Sequence, residues 1–332
     1  MANRDIIVIG GSTGSIEVLR TICGGLSADL PAAILVVVHL APESENRLAG
    51  ILDAAGPLPA ATARDGERIE PGRIYVAPAG RHMLAIDGAI ALRRGPRENL
   101  SRPAVDPLFR SAALNYGSRV IGLVLSGQLN DGAAGLAAVK ACGGCALVQD
   151  PDDARAPDMP RSALHAVEID GCAPAAGLAD LLGAMAASAP GLDRPIPQDL
   201  RLEVAIAAGG GLDSERLRAF AEPVPLTCPD CGGVLSETKG SGPLRFRCQV
   251  GHAFTGQVLD TQQENAVDEA LRVALRIVEE RAELLRRLCQ KAGETGLAAR
   301  YAIRADEYRA HAQTIRRAIM AAPMQDEAPA GT

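Results

Sequence analysis

The stretch Ile6-Ile7-Val8-Ile9-Gly10-Gly11-Ser12-Thr13-Gly14 decides the fold. Its four consecutive β-branched residues are not alternating, so they predict a strand buried on both faces, and the glycines mark where it turns. A helix-like pattern follows from Ile16 to Leu26, then a second apolar strand, Ile34-Leu35-Val36-Val37-Val38, closed by His39. Ile74-Tyr75-Val76, Val120 to Leu125 and Ala146-Leu147-Val148 repeat the theme between Ala/Leu-rich stretches. Such alternation implies an α/β domain, a doubly wound and mainly parallel sheet between helical layers. One segment departs from it: Met83 to Ile86 and Ala89 to Leu92 flank Asp87-Gly88, a two-residue turn signal that predicts an inserted β-hairpin.

The length, 332 residues, suggests two domains with an appendage. Hydrophobic residues make up 47%, yet there are only four Phe, four Tyr and no Trp, so the core is aliphatic. A net charge of −6 argues against binding nucleic acid through phosphate contacts. No apolar run reaches the roughly 18–20 residues of a membrane span, so no membrane insertion is expected. The N-terminus lacks a signal-peptide layout, and eight cysteines in so long a chain are no disulfide framework. Both point to a cytoplasmic protein.

Residues 1–187 read as the α/β domain and 188–226, rich in Pro and Gly, as a linker in which Leu202 to Ala207 are ambiguous. A compact cysteine-bearing module covers 227–258. Val267, Leu271, Ala274, Val278, Ala282 and Leu285 then step at helical spacing, and so do Leu297, Tyr301, Ala305, Tyr308, Ala312, Ile315 and Ile319 beyond Gly293 and Gly296. This predicts a helical hairpin over 262–322 and a disordered tail over 323–332.

Gly10-Gly11-Ser12-Thr13-Gly14 fits G-x-S-x-G between a strand and a helix, the setting of a serine nucleophile whose oxyanion is met by backbone N–H groups. A phosphate-binding turn is the rival reading, although the P-loop lysine is missing. In a parallel sheet His39 projects from the same carboxyl edge as Ser12, where open α/β sheets place their ligands. The strand Val120 to Leu125 leads into Ser126-Gly127-Gln128-Leu129-Asn130-Asp131-Gly132, which brings Asp131 to that edge. Taken singly, His39 could be a hydrogen-bonded strand end and Asp131 a helix cap. Together they supply nucleophile, base and orienting acid.

These stretches, with Val38-His39-Leu40-Ala41-Pro42, Pro71 to Pro78, Arg81-His82-Met83, Ser101 to Phe109, Leu125 to Gly132 and Met159-Pro160-Arg161, resemble the catalytic domain of CheB-type chemotaxis protein-glutamate methylesterases. The resemblance spans about residues 5 to 185 in unbroken order. It implies a doubly wound sheet and the triad Ser12, His39 and Asp131, with oxyanion donors at the Thr13 and Gln128 amides. It also implies a glutamate methyl ester on methyl-accepting chemotaxis receptors as substrate, deamidation of glutamine in some members, and other chemosensory signalling proteins as further candidate partners. Two departures stand out. The family usually reads Gly-Met-Gly-Asn-Asp-Gly where this chain has Gly127-Gln128-Leu129-Asn130-Asp131-Gly132, so Leu129 is expected to restrict the loop. The family's N-terminal receiver domain has no counterpart before Ile6, so control by phosphorylation in the same chain is not expected. The alternative function is a non-catalytic signalling adaptor that binds receptors or partners through the same surface and the C-terminal extension.

Cys228-Pro229-Asp230-Cys231 is a C-x-x-C knuckle. Sixteen residues separate Cys231 from Cys248, and three more separate Cys248 from His252. Two ligand pairs at this spacing predict a zinc ribbon. Four protein ligands leave no open coordination position, so the metal would be structural and catalysis would use no cofactor. Cys142-Gly143-Gly144-Cys145 lacks a second pair; it is a redox dithiol or, more simply, core filler. Cys23, Cys172 and Cys289 read as plain thiols, and His82, His165 and His311 receive no role.

Overall fold

A computed structural model describes residues 3–39, 47–192, 194–211, 214–239, 243–293 and 296–321. The expected tail over 323–332 lies outside them, as does Leu40-Ala41-Pro42. The chain divides into two compact units, Met1–Leu259 and Asp260–Thr332.

In the first unit the strands β1 (Ile6–Gly11), β2 (Ala33–Val38), β3 (Ala60–Thr62) and β4 (Ile74–Val76) precede a hairpin of β5 (His82–Ile86) and β6 (Ala89–Arg93). Then come β7 (Val120–Val124), β8 (Cys145–Gln149) and β9 (Gly171–Ala173). Seven of these form one sheet in the order β3-β4-β2-β1-β7-β8-β9, and every pairing in it is parallel. The hairpin is a separate two-stranded antiparallel sheet, as the Asp-Gly turn predicted. The edge strands β3 and β9 were not anticipated; at three residues each they are too short to carry a periodic signal.

Helices α1 (Ser15–Gly25), α2 (Leu48–Asp53), α3 (Val105–Tyr116), α4 (Ala133–Ala141), α5 (Asp158–Ala166) and α6 (Leu178–Ala187) connect the strands. Side chains alternate strictly across the sheet. Ile7, Ile9, Ile34, Val36, Ile121 and Leu123 face a core completed by Leu19, Ile22, Leu52 and Leu182 of α1, α2 and α6. Ile6, Val8, Leu35, Val37, Tyr75 and Val124 face the opposite core, with Phe109, Leu136 and Met159 of α3, α4 and α5. Burial of both faces explains why the strands are uninterrupted apolar runs.

The expected linker over 188–226 is not one. It holds α7 (Gln198–Ala207), α8 (Ser214–Phe220) and β10 (Ala221–Thr227). Leu200 and Val204 of α7 enter the core beneath α3, while β10 starts the next sheet. Pro195 and Pro197 lie just before the helix and the run Gly209-Gly210-Gly211 falls after it, so these breakers bound α7 rather than interrupt it. The ribbon is an antiparallel sheet of β10, β11 (Val234–Thr238), β12 (Arg245–Cys248) and β13 (Ala253–Thr255) in that order.

Four buried charges, Glu98, Arg110, Glu203 and Arg247, and the half-buried Arg245 join ribbon, α7 and α/β core. Arg110 of α3 pairs with Glu98 and, at 2.8 Å, with Glu203 of α7. Glu203 also accepts from Arg245 at 2.8 Å, and Arg247 pairs with Glu98 at 3.2 Å. Burial opposes ionisation of both glutamates, but the arginines outweigh it and hold both carboxyls below their ordinary range.

The second unit contains α9 from Asp260 to Ala292, the helix itself starting at Gly256 rather than at 262, and α10 (Gly296–Ala321). Ala298, Ala305 and Ala312 recur every seven residues and are the buried positions of α10, small enough for a close helix-to-helix approach. Among the described residues no helix is long and apolar enough to cross a membrane.

Glu203→Ala would leave Arg110 and Arg245 without their shared carboxylate. Urea denaturation should show a loss of about 3–5 kcal/mol, as for a broken buried ion pair, against well under about 1 kcal/mol if the network were dispensable.

Candidate active site and metal centre

The site follows from strand register. Gly11 pairs with Val38 across β1 and β2, so the next residues, Ser12 and His39, leave neighbouring strands that run about 4.8 Å apart. The His39 amide is bonded to Gly11 O at 3.3 Å. On the other side of β1, Ser12 N donates to Ser126 O at 2.9 Å, just beyond β7. The chain proceeds outward from β1 through β2 to β4, then returns to build β7, β8 and β9 on the other flank. The three site segments therefore surround the topological switch point of the sheet.

The turn after β1 takes its left-handed residue at Gly14, with φ 82°, rather than at the serine. Ser12 is half-buried and Thr13 exposed. Among the described residues no acceptor meets the Thr13 or Gln128 amide, as an oxyanion site requires. Gly127 is obligatory by contact: a Cβ there would lie 2.9 Å from the Ser12 Cβ and 2.0 Å from the Met159 sulfur.

Asp131 is 2% exposed and accepts from five donors. Its Oδ2 lies 2.7 Å from His39 Nε2 and 2.7 Å from Val105 N. Its Oδ1 accepts from Asn99 Nδ2 at 3.0 Å, Gly132 N at 3.0 Å and Asp106 N at 3.2 Å. Burial disfavours the charge, yet the His39 hydrogen bond and the other donors prevail and lower its pKa. An ionised carboxylate only accepts, so Nε2 of His39 carries a proton, and in the neutral ring Nδ1 is then the acceptor.

Asn99 and Asp106 escaped the sequence reading. Asp106 accepts Gly132 N at 3.0 Å and Gly135 N at 2.6 Å, and burial followed by the Asp131 charge pushes its pKa up. Its signal was its place in the first turn of α3, which any capping aspartate shares. His82, given no role from sequence, is a buried neutral ring: burial lowers its pKa, Nε2 donates to Pro96 O at 2.9 Å, and Nδ1 accepts from Ala104 N at 3.3 Å.

Leu129 is the residue expected to restrict the loop. It takes a left-handed φ of 62°, and Leu100 one of 65°. Such conformations cost an L-residue roughly 1–2 kcal/mol. Both side chains pack on the ribbon core of Leu235, Phe246, Phe254 and Val258, which offsets that strain.

The four ribbon ligands converge. Cys228, Cys231, Cys248 and His252 place their ligand atoms within 4.8 Å of one another. Cys231 and Cys248 sulfurs are 3.7 Å apart, and His252 Nδ1 lies 3.8 Å from Cys228 Sγ and 3.6 Å from Cys248 Sγ. A tetrahedron with metal–sulfur bonds of about 2.3 Å has edges of about 3.8 Å, so the donor set fits zinc. Gly232 and Gly251, with φ of 72° and 103°, close the two knuckles. Asp230, 4.0 Å from His252 Nε2, also pairs with Arg97 at 2.7 Å. By contrast, Cys142 and Cys145 point into different cores on the two sides of the sheet, and burial raises both thiols, Cys145 to about 12. They are filler, not a dithiol.

Comparison with known proteins agrees with this arrangement. The CheB methylesterase family profile matches residues 7–182. A protein-glutamate methylesterase/protein-glutamine glutaminase of Anaeromyxobacter dehalogenans is 38% identical over 169 residues, 51% of this chain and 50% of that protein. A Leptospira interrogans protein described as a protein-glutamate methylesterase/protein-glutamine glutaminase is also 38% identical over 169 residues, which cover 88% of its length. The chain thus spans only half the length of the first of these relatives. The crystal structure of the Thermotoga maritima CheB methylesterase catalytic domain superposes with a TM-score of 0.53 at 34% identity, covering 55% of this chain and 99% of that one. A parallel seven-stranded sheet, the residues gathered at its switch point and a family match over more than half the chain lead to one assignment: the chain belongs to the CheB methylesterase family.

Proposed function

We propose that this protein is a serine hydrolase that removes methyl esters from glutamate side chains of methyl-accepting chemotaxis receptors. The observation that carries the reading is the 2.7 Å contact of His39 Nε2 with the buried Asp131, one strand-spacing from Ser12. In this scheme His39 Nδ1 takes the Ser12 proton as Oγ attacks the ester carbonyl. Asp131 keeps the ring in the required tautomer and stabilises the imidazolium. The Thr13 and Gln128 amides receive the oxyanion. The protonated His39 then gives its proton to the leaving methoxide, and methanol departs. Water, deprotonated by His39, attacks the acyl-serine to release free glutamate and restore Ser12. A glutamine side chain would follow the same path with ammonia as the leaving group, in keeping with the names of the relatives.

The ribbon ligands Cys228, Cys231, Cys248 and His252 hold a structural zinc in this reading. The metal would cross-link β10–β11 to β12–β13 and stabilise the ribbon fold.

Methanol release from a methylated receptor fragment should fall at least about a thousandfold in Ser12→Ala, and on the order of ten-thousandfold in Asp131→Asn, which gives His39 the wrong tautomer. Equal rates for wild type and Ser12→Ala would instead make the site a binding surface of an adaptor. Elemental analysis of purified protein should find about one zinc per chain, lost in Cys231→Ser, and chelation should lower the Tm. Full-length wild type without metal would refute the zinc assignment.

A further inference from the structure

Thr255, at the end of β13, lies 73 positions beyond the family match that ends at residue 182, yet it touches both neighbours of the catalytic acid. Its backbone N–H donates to Asn99 Oδ1 at 3.0 Å. Its hydroxyl donates to Asn130 Oδ1 at 2.5 Å and accepts Val258 N at 3.4 Å. Asn99 and Asn130 are 7% and 6% exposed, Thr255 1%.

The Asn99 contact has a directional consequence. An N–H can only donate, so it forces the oxygen end of the Asn99 amide toward Thr255. The NH2 end is then obliged to face the carboxylates, where it reaches Asp131 Oδ1 at 3.0 Å and Asp106 Oδ2 at 3.2 Å. A flipped amide would present oxygen to two buried acids. Asn99 is itself held in a left-handed turn, φ 48°, by donating its N–H to Ala253 O at 2.9 Å, again on β13. On the other side Asn130 immediately precedes Asp131, and its carbonyl accepts Ala133 N at 3.3 Å at the start of α4. One ribbon residue therefore fixes a donor to Asp131 from one loop and the residue before it in the other.

We infer that the Thr255 hydroxyl, acting through Asn130, is a positioning group for the Ser12–His39–Asp131 reaction, with the backbone of the same strand holding Asn99 on the other side, so that the ribbon forms part of the catalytic support. The inference rests on the esterase reading above. Displacements near 1 Å at a reacting group cost about a hundredfold in rate. Thr255→Val keeps the shape and removes the hydroxyl, so kcat for methanol release from the methylated receptor fragment should fall about ten- to a hundredfold with KM little changed. Thr255→Ser should restore it. Asn130→Ala should reproduce the loss, and the double variant Thr255→Val/Asn130→Ala should be no worse than Thr255→Val alone, because Asn130→Ala removes only a contact that Thr255→Val has already removed. Independently of substrate, the low-field proton NMR signal of His39 Nε2–H should shift or broaden in Thr255→Val and recover in Thr255→Ser.

Failure of the two readings can be told apart. Methanol release that does not depend on Ser12 overturns the esterase reading, and the His39 signal still judges Thr255. A Ser12-dependent rate that Thr255→Val leaves at the wild-type level, additive losses in the double variant, or a His39 signal indifferent to Thr255→Val overturns the positioning role. If Thr255→Val does not fold, Asn130→Ala with the His39 signal decides alone: an unchanged kcat and spectrum refute the inference.

Discussion

An ionised carboxylate with almost no access to water is the constraint around which the catalytic end of the sheet is arranged. Asp131 can stay charged at 2% exposure only if protein donors replace its hydration, and five do so. Three are backbone amides, at Val105, Asp106 and Gly132, so the N-terminus of α3 and the approach to α4 must both point at one carboxyl group. The fourth is a side-chain amide, and the fifth is the histidine that performs the proposed proton transfer. Asp106 lies in the same region and draws on donors of its own from Gly132 and Gly135. The loops are consequently defined by where N–H groups must point, and their shape leaves little room for alternatives.

The second organising feature is the largely buried charge network of Glu98, Arg110, Glu203, Arg247 and the half-buried Arg245. Networks of this kind contribute little net stability compared with an apolar core of equal volume, but they are intolerant of partial loss. Here they set register between pieces of chain far apart in sequence. Glu98 directly precedes Asn99, so the pairing of Arg247 with Glu98 also anchors the turn that serves Asp131. Arg247 in addition donates to Gly251 O at 2.7 Å, beside His252. The turn at Cys248–His252 and the carboxylate of Asp131 are thus linked by a short run of hydrogen-bonded groups.

Much of this was legible in the sequence, for identifiable reasons. Strands buried on both faces announce themselves as runs such as Ile6 to Ile9, and Asp87-Gly88 fixes its hairpin by backbone conformation alone. Ser12, His39 and Asp131 could be found because each follows a recognisable strand. The convergence of Cys228, Cys231, Cys248 and His252 was legible because their spacing comes in two pairs. Asn99 and Thr255 carry no comparable signal: an asparagine in a loop and a threonine before a helix ordinarily serve local caps, and only the fold makes them partners. Residues 188–226 misled because five Pro and four Gly read as breakers while Leu200, Val204 and Ala207 keep a helical step between them. Leu129 nevertheless takes the left-handed conformation of a glycine, and the packing that offsets its strain lies in a ribbon core assembled from residues beyond position 220, which the local sequence does not reveal.

The charge network also bears on inheritance. The family segment ends at residue 182, but the buried interior it shares with its extension closes only near Leu259. A recombination event that joined residues 7–182 to a different tail would bring Glu98 and Arg110 without Glu203, Arg245 and Arg247, and would bare Leu100 and Leu129 in left-handed turns. Positions 98, 110, 203, 245 and 247 should therefore descend together, so that among relatives carrying this ribbon a change of sign at one of them is matched by a change at another.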